Sequence, residues 1–216
     1  MSWPGGRRDL IRRDRLPRRP GGRGYRVLVL GGARSGKSVT AERLLAVRDQ
    51  VDYVATGAVP DASDPEWAAR VRIHQQRRPP HWTTLETRDL ESILAGPDLA
   101  TGDVPAQQLA TPVLIDCLST WLAGVMDECG LWSAAPGPDK ASADKALAQR
   151  VDGLLAGWRA TRRIVVAVSN EVGSGVVPGT ASGVRYCDEL GILNTRIAAE
   201  CQQVWLCTAG IPRRLR

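Results

Sequence analysis

Residues 26–45 read RVLVLGGARSGKSVTAERLL, and the fold is decided there. A short apolar run, RVLVL, ends in glycines, which suits a strand buried on both faces of a parallel sheet. Ala41, Leu44, Leu45 and Arg48 then fall at helical spacing, so a helix follows the strand. Between the two, Gly31-x-x-x-x-Gly36-Lys37-Ser38 fits the P-loop pattern in the strand-to-helix setting that the pattern needs. Its glycines let main-chain N–H groups converge on a concavity, and the helix N-terminus adds partial positive charge. Lys37 reaches the outer phosphates, and the Ser38 hydroxyl is placed to ligate Mg²⁺. A glycine-rich turn that carries Lys-Ser by accident is the bland alternative, and it leaves the flanking strand and helix unexplained. The implied ligand is a nucleoside triphosphate.

Outward from this stretch, apolar strands and amphipathic helices alternate. VDYVATG (51–57) reads as a second strand closing in a glycine turn. DPEWAARVRIHQQR (64–77) reads as a helix with an Asp cap, Pro at its first position, and Trp67, Val71 and His74 along one stripe. Residues 95–112 are loop-like. PVLIDCLSTWL (112–122) is a strand running into a helix, and 141–160 places Leu147, Val151, Leu154, Leu155 and Trp158 on one helical face. RIVVAVSNEVG (163–173) is a further strand, DELGILNTRIAAECQ (188–202) a helix, and VWLC (204–207) the last strand. The alternation predicts an α/β fold, a P-loop-type three-layer sandwich with a mostly parallel sheet and its ligand at the carboxyl ends of the strands.

With 216 residues, 43% of them hydrophobic, the chain suits one core, expected over 25–216. The net charge of +6 invites a nucleic-acid reading, but its location argues otherwise. Residues 1–24 hold eight Arg and two Asp, which accounts for the whole excess and leaves the rest balanced. This leader is rich in Pro, Gly and Arg, lacks the apolar run of a secretory signal, and is expected to be a disordered extension; no nucleic-acid partner is expected. No stretch approaches the ~20 apolar residues of a membrane span. Five cysteines, odd in number and without a C-x-x-C pair, read as reduced core thiols of a cytoplasmic protein.

Asp116, ending VLID, is the candidate second Mg²⁺ ligand after Ser38; capping the helix that starts near Leu118 is its structural alternative. His74 has Arg70 one turn before it and Arg77 and Arg78 one turn after it. Guanidinium groups so spaced disfavour protonation of the imidazole, leave it a lone pair for attack on phosphorus, and offer forks to phosphate oxygens. A solvated helix face that happens to carry a histidine explains the same spacing. His81, in a Pro-stiffened turn, reads as structural. Glu86 and Glu171 sit at loop or strand ends on the ligand side, where a turn hydrogen bond is the alternative role.

Taken in order, GGARSGKS (31–38), YVATG (53–57), RVRIHQQRRPPHW (70–82), LIDCLSTW (114–121), VSNEVGSGVVP (168–178) and YCDELGILN (186–194) resemble the bifunctional adenosylcobinamide kinase/adenosylcobinamide-phosphate guanylyltransferase family of cobalamin biosynthesis. The resemblance runs from Tyr25 to the C-terminus. It implies that His74 becomes guanylylated. It implies that Gly31, Gly32, Ala33, Arg34, Ser35, Gly36, Lys37 and Ser38 bind the triphosphate of GTP or ATP, with Lys37 catalytic beside His74. Ala55, Thr56 and Gly57, then Gln75, Gln76, Arg77 and Arg78, and finally Glu86 and Asp116 are implied around the nucleotide. Adenosylcobinamide and its phosphate are the implied substrates, Mg²⁺ the cofactor and a homotrimer the assembly. This chain departs from the family pattern in having Ile73 before its histidine where some members have a second one, and in placing Cys187 and Ile192 where Arg is usual. A P-loop small-molecule kinase without guanylyl transfer is the competing reading.

Overall fold

The alternation of RVLVL decides where the core lies. Val27 and Val29 face one side of the sheet and Leu28 and Leu30 the other, and all four are buried. The computed structural model describes residues 16–17, 24–58, 64–95, 111–132 and 138–216; the side chains of Trp67, Arg70, His74, Pro138 and Asp139 lie outside the described residues. Strand β1 (Tyr25–Gly31) is joined on one side by β5 (Ile164–Asn170) and on the other by β6 (Gln203–Thr208), both parallel to it. With β2 (Asp52–Ala55), β3 (Thr83–Glu86), β4 (Val113–Asp116) and β7 (Ile211–Arg214) they form one seven-stranded sheet in the order β3-β2-β4-β5-β1-β6-β7. Only β7 is antiparallel to its neighbour.

Helix α1 (Lys37–Leu45) covers one face, burying Ala41, Leu44 and Leu45 against Val27, Val29, Tyr53, Val166 and Trp205. The other face is covered by α3 (Leu90–Ala95), α4 (Leu118–Glu128), α5 (Pro138–Ala160) and α6 (Ala181–Ala199), which bury Trp121, Leu154, Trp158 and Leu193 among others. Helix α2 (Pro65–Arg77) contributes no described residue to either cluster and sits at the rim. Leu16, inside the basic leader, is 7% exposed and packs with the α1-side cluster, while the Arg48 guanidinium donates to the Pro17 carbonyl. Apart from Leu16, Pro17 and Gly24, the leader lies outside the described residues.

The layers and the parallel sheet are those the sequence predicts. VWLC is not the last strand, however. Ile211–Arg214 turns back as β7, and its Ile-Pro-Arg-Arg sequence carries none of the apolar signal of a buried strand because it lies at an exposed edge. Thr83–Glu86 escaped notice for the same reason. The last helix begins already at Ala181, where the Thr180 hydroxyl accepts from the Gly183 N–H at 3.1 Å, and it ends at Ala199. Of the five cysteines, none in a disulfide, Cys201 and Cys207 are buried; Cys117, Cys129 and Cys187 are only partly covered, so they are not all core thiols. Burial raises the Cys201 thiol to about 12.

Candidate active site

Register aligns the chemistry along one edge of the sheet. Ala55 pairs with Glu86 on one side and with Asp116 on the other, while Gly31 pairs with Asn170 and Cys207. All lie at the carboxyl ends of parallel strands, where α/β folds bind ligands. A cavity of about 580 Å³ opens there. Its lining takes in the 34–38 stretch with Val39, and Val71, Ile73, Arg77 and Arg78. Tyr53, Ala55, Asp116, Cys117, Thr120 and Asn170 line it from the sheet side, with Gly57, Ala58 and Glu86.

The P-loop is shaped by backbone. Gly36 has φ +92 and Arg34 φ +56, both in the left-handed region. A Cβ on Gly36 would lie 3.2 Å from the Cα of Gly210, so the turn joining β6 to β7 is braced directly against the loop. The Gly210 N–H also donates to the Ser35 carbonyl at 2.9 Å. Lys37 Nζ donates to the Gly32 carbonyl at 3.1 Å.

Asp116 and Ser38 come together: the Ser38 hydroxyl donates to Asp116 Oδ1 at 3.4 Å, and the Tyr53 hydroxyl donates to Asp116 Oδ2 at 2.6 Å. The helix that Asp116 might have capped begins instead with Cys117 as its N-cap. Two hard oxygen donors at cavity depth suit an oxygen-seeking divalent cation such as Mg²⁺. Burial, with the neighbouring Asp116 charge adding to it, raises the Tyr53 hydroxyl far above its ordinary value and keeps it a donor.

The C-terminal end of α2 is tied to the rest of the site by arginines. Arg77 Nη2 pairs with Glu42 Oε1 at 2.9 Å, and Arg78 Nη1 donates to the Thr84 hydroxyl at 3.1 Å while its guanidinium lies 3.4 Å above the Tyr53 ring centroid. Burial raises the Glu42 carboxyl, an effect that Arg77 partly offsets.

Of the residues expected around a nucleotide, Arg34, Ser35, Gly36, Lys37, Ser38, Ala55, Gly57, Arg77, Arg78, Glu86 and Asp116 all line this cavity. Gly31, Gly32 and Ala33 lie outside its lining, as do Gln75 and Gln76, which are exposed. Thr56 is fully buried, and its hydroxyl donates to the Cys117 carbonyl at 2.6 Å and accepts from the Cys117 N–H at 3.0 Å, so it braces the β4–α4 junction. His74 belongs to α2, and its side chain lies outside the described residues. His81 is exposed in a turn, and Glu171 accepts from the Gly173 N–H at 2.9 Å, the turn role that its position allowed.

Sequence reasoning passed over Tyr53, Glu42, Thr120 and Asn170. Period-two alternation was available for Tyr53, which shares a strand face with Ala55, and helical spacing for Glu42, one turn beyond Ser38. Nothing local marks Thr120 or Asn170.

Residues 27–215 match the family model described as cobinamide kinase / cobinamide phosphate guanyltransferase. The chain is 35% identical over 191 residues to the bifunctional adenosylcobalamin biosynthesis protein CobU of Salmonella typhimurium, covering 88% of this chain and 99% of that protein. It is 33% identical to the CobU protein of Escherichia coli, over 88% of this chain and 99% of that one. With the bifunctional adenosylcobalamin biosynthesis protein CobP of Pseudomonas aeruginosa it shares 36% identity, over 88% and 97%. The chain belongs to the cobinamide kinase/cobinamide phosphate guanyltransferase family. Ile73 is 57% exposed and still contributes to the cavity wall, whereas Cys187 and Ile192 lie on α6, away from the cavity lining, with Ile192 55% exposed.

Proposed function

We propose that this chain phosphorylates adenosylcobinamide with ATP or GTP and then transfers GMP from GTP, through guanylylated His74, to give adenosylcobinamide-GDP. The observation that carries this reading is a shared cavity: a P-loop with Lys37 and Ser38 and the Arg77–Arg78 end of the histidine-bearing helix line the same space. Family membership over nearly the whole chain supports it.

In the kinase step the substrate hydroxyl attacks the γ-phosphorus, the bond from that phosphorus to the β–γ bridging oxygen breaks, and the hydroxyl proton is lost. Lys37 and the main-chain amides of the loop spread the charge that develops. In the transfer step a neutral His74 nitrogen attacks the α-phosphorus and pyrophosphate leaves. A phosphate oxygen of adenosylcobinamide phosphate then takes the GMP and frees the imidazole. Ser38 and Asp116 are the residues that would hold Mg²⁺, which when bound neutralises charge on the phosphates. We further propose that residues 25–216 form the catalytic domain, that Arg34, Arg77, Arg78 and Glu86 contact the nucleotide, and that the protein is a cytoplasmic homotrimer. Among the described residues no helix is long and apolar enough to cross a membrane.

Incubation with α-labelled GTP and Mg²⁺, followed by denaturing electrophoresis, tests the assignment. The wild-type chain retains acid-labile label on the peptide containing His74, and His74→Ala loses that label while keeping most of its adenosylcobinamide phosphorylation. A chain that phosphorylates but never takes label is a kinase alone. Light scattering that gives a monomer at working concentration would overturn the trimer.

A further inference from the structure

Tyr53 is 1% exposed, and hydrophobic packing alone would be served as well by Phe. Its hydroxyl instead donates to Asp116 Oδ2 at 2.6 Å, which turns the other oxygen, Oδ1, toward Ser38 at 3.4 Å. A short bond to a carboxylate holds that group in one rotamer. The face of the same ring carries the Arg78 guanidinium 3.4 Å from its centroid, and Arg78 Nη1 is fixed in turn by the Thr84 hydroxyl at 3.1 Å. Hydroxyl and ring face therefore hold two different groups of the cavity lining, Asp116 beside Ser38 and Arg78 just after the last turn of α2.

We propose that Tyr53 is a positioning residue serving both half-reactions, its hydroxyl orienting Asp116 at the phosphate end and its ring seating Arg78 at the end of the histidine-bearing helix. This rests on the functional reading above for the identity of the two reactions, but not for the geometry. Two substitutions separate the two parts. Tyr53→Phe keeps the ring and removes the hydroxyl; Tyr53→Leu removes both.

Calorimetric titration of GTP with Mg²⁺ and with chelator measures how much the cation strengthens binding. Hydrogen exchange of the α2 amides measures how firmly the helix end is seated. Tyr53→Phe is expected to lower the Mg²⁺-dependent gain in GTP affinity by about 10- to 100-fold, the usual loss when an outer partner of a metal ligand is removed, with α2 exchange unchanged. Tyr53→Leu is expected to lower the gain equally and also to speed exchange at the Gln75–Arg78 end. If Tyr53→Leu does not fold, Arg78→Met, which leaves the ring in place, should reproduce the faster exchange. An undiminished Mg²⁺-dependent gain in Tyr53→Phe overturns the proposal, as does α2 exchange that rises as much in Tyr53→Phe as in Tyr53→Leu. A wild-type chain that takes no GMP label would sink the functional reading, and the calorimetry would still decide the part played by Tyr53.

Discussion

In the proposed function one side chain, Lys37, serves two chemistries. It sits at the first position of α1, directly after a glycine held at φ +92, with its ammonium group bonded to the Gly32 carbonyl at 3.1 Å. That places a positive charge inside the loop before any ligand arrives, so the charge need not be reorganised during either phosphoryl or nucleotidyl transfer. Lys37→Ala should therefore reduce adenosylcobinamide phosphorylation and GMP labelling alike, each by roughly 100-fold or more, as for other single donors to a developing charge. Rates of both reactions measured on the same preparation check this. Labelling that survives at wild-type speed would show that Lys37 plays no part in GMP transfer.

Among the elements, the β6–β7 hairpin has a part that its sequence does not suggest. Ala209 and Gly210 turn with φ +49 and +78, and the Gly210 N–H then holds the Ser35 carbonyl from below the P-loop. A β-branched residue at positive φ is strained whatever space surrounds it. Gly210→Val is expected to cost about 1–3 kcal/mol in stability by urea unfolding and to weaken GTP binding, since relaxing the strained turn moves the Gly210 N–H that holds the Ser35 carbonyl. A variant that loses stability while binding GTP normally would show that the hairpin supports the sheet alone. Among the described residues, the Arg77–Glu42 pair and the Arg78 contacts with Tyr53 and Thr84 tie the end of helix α2 to the rest of the fold.

For the whole molecule, the strands pair in an order that brings β1 between β5 and β6. Leu16 then finds a place in the cluster formed by Val27, Leu44, Leu45 and Trp205. Burying a leucine contributes about 1.5–3 kcal/mol. Removal of residues 1–15 should leave thermal stability unchanged, whereas removal of 1–23 should lower it by that amount. Equal melting temperatures for the two truncations would show that Leu16 adds nothing.

The sequence by itself determined the layered α/β architecture, because RVLVL, the glycine-rich turn and the amphipathic stretch after it are local patterns whose periods report their own surroundings. It also determined where the glycine-rich loop lies and pointed to Asp116, since a carboxylate ending an apolar strand lies on the ligand side of a parallel sheet. What only the tertiary structure decided was which side chains share the cavity. The Tyr53 contacts with Asp116 and Arg78, the brace of Gly210 under Ser35, and the turning of Thr56 away from the cavity each join residues far apart in the chain. The edge strands β3 and β7 were hidden for a related reason. Half-exposed strands carry little apolar signal, and they are strands only because a neighbour supplies their hydrogen-bond partners.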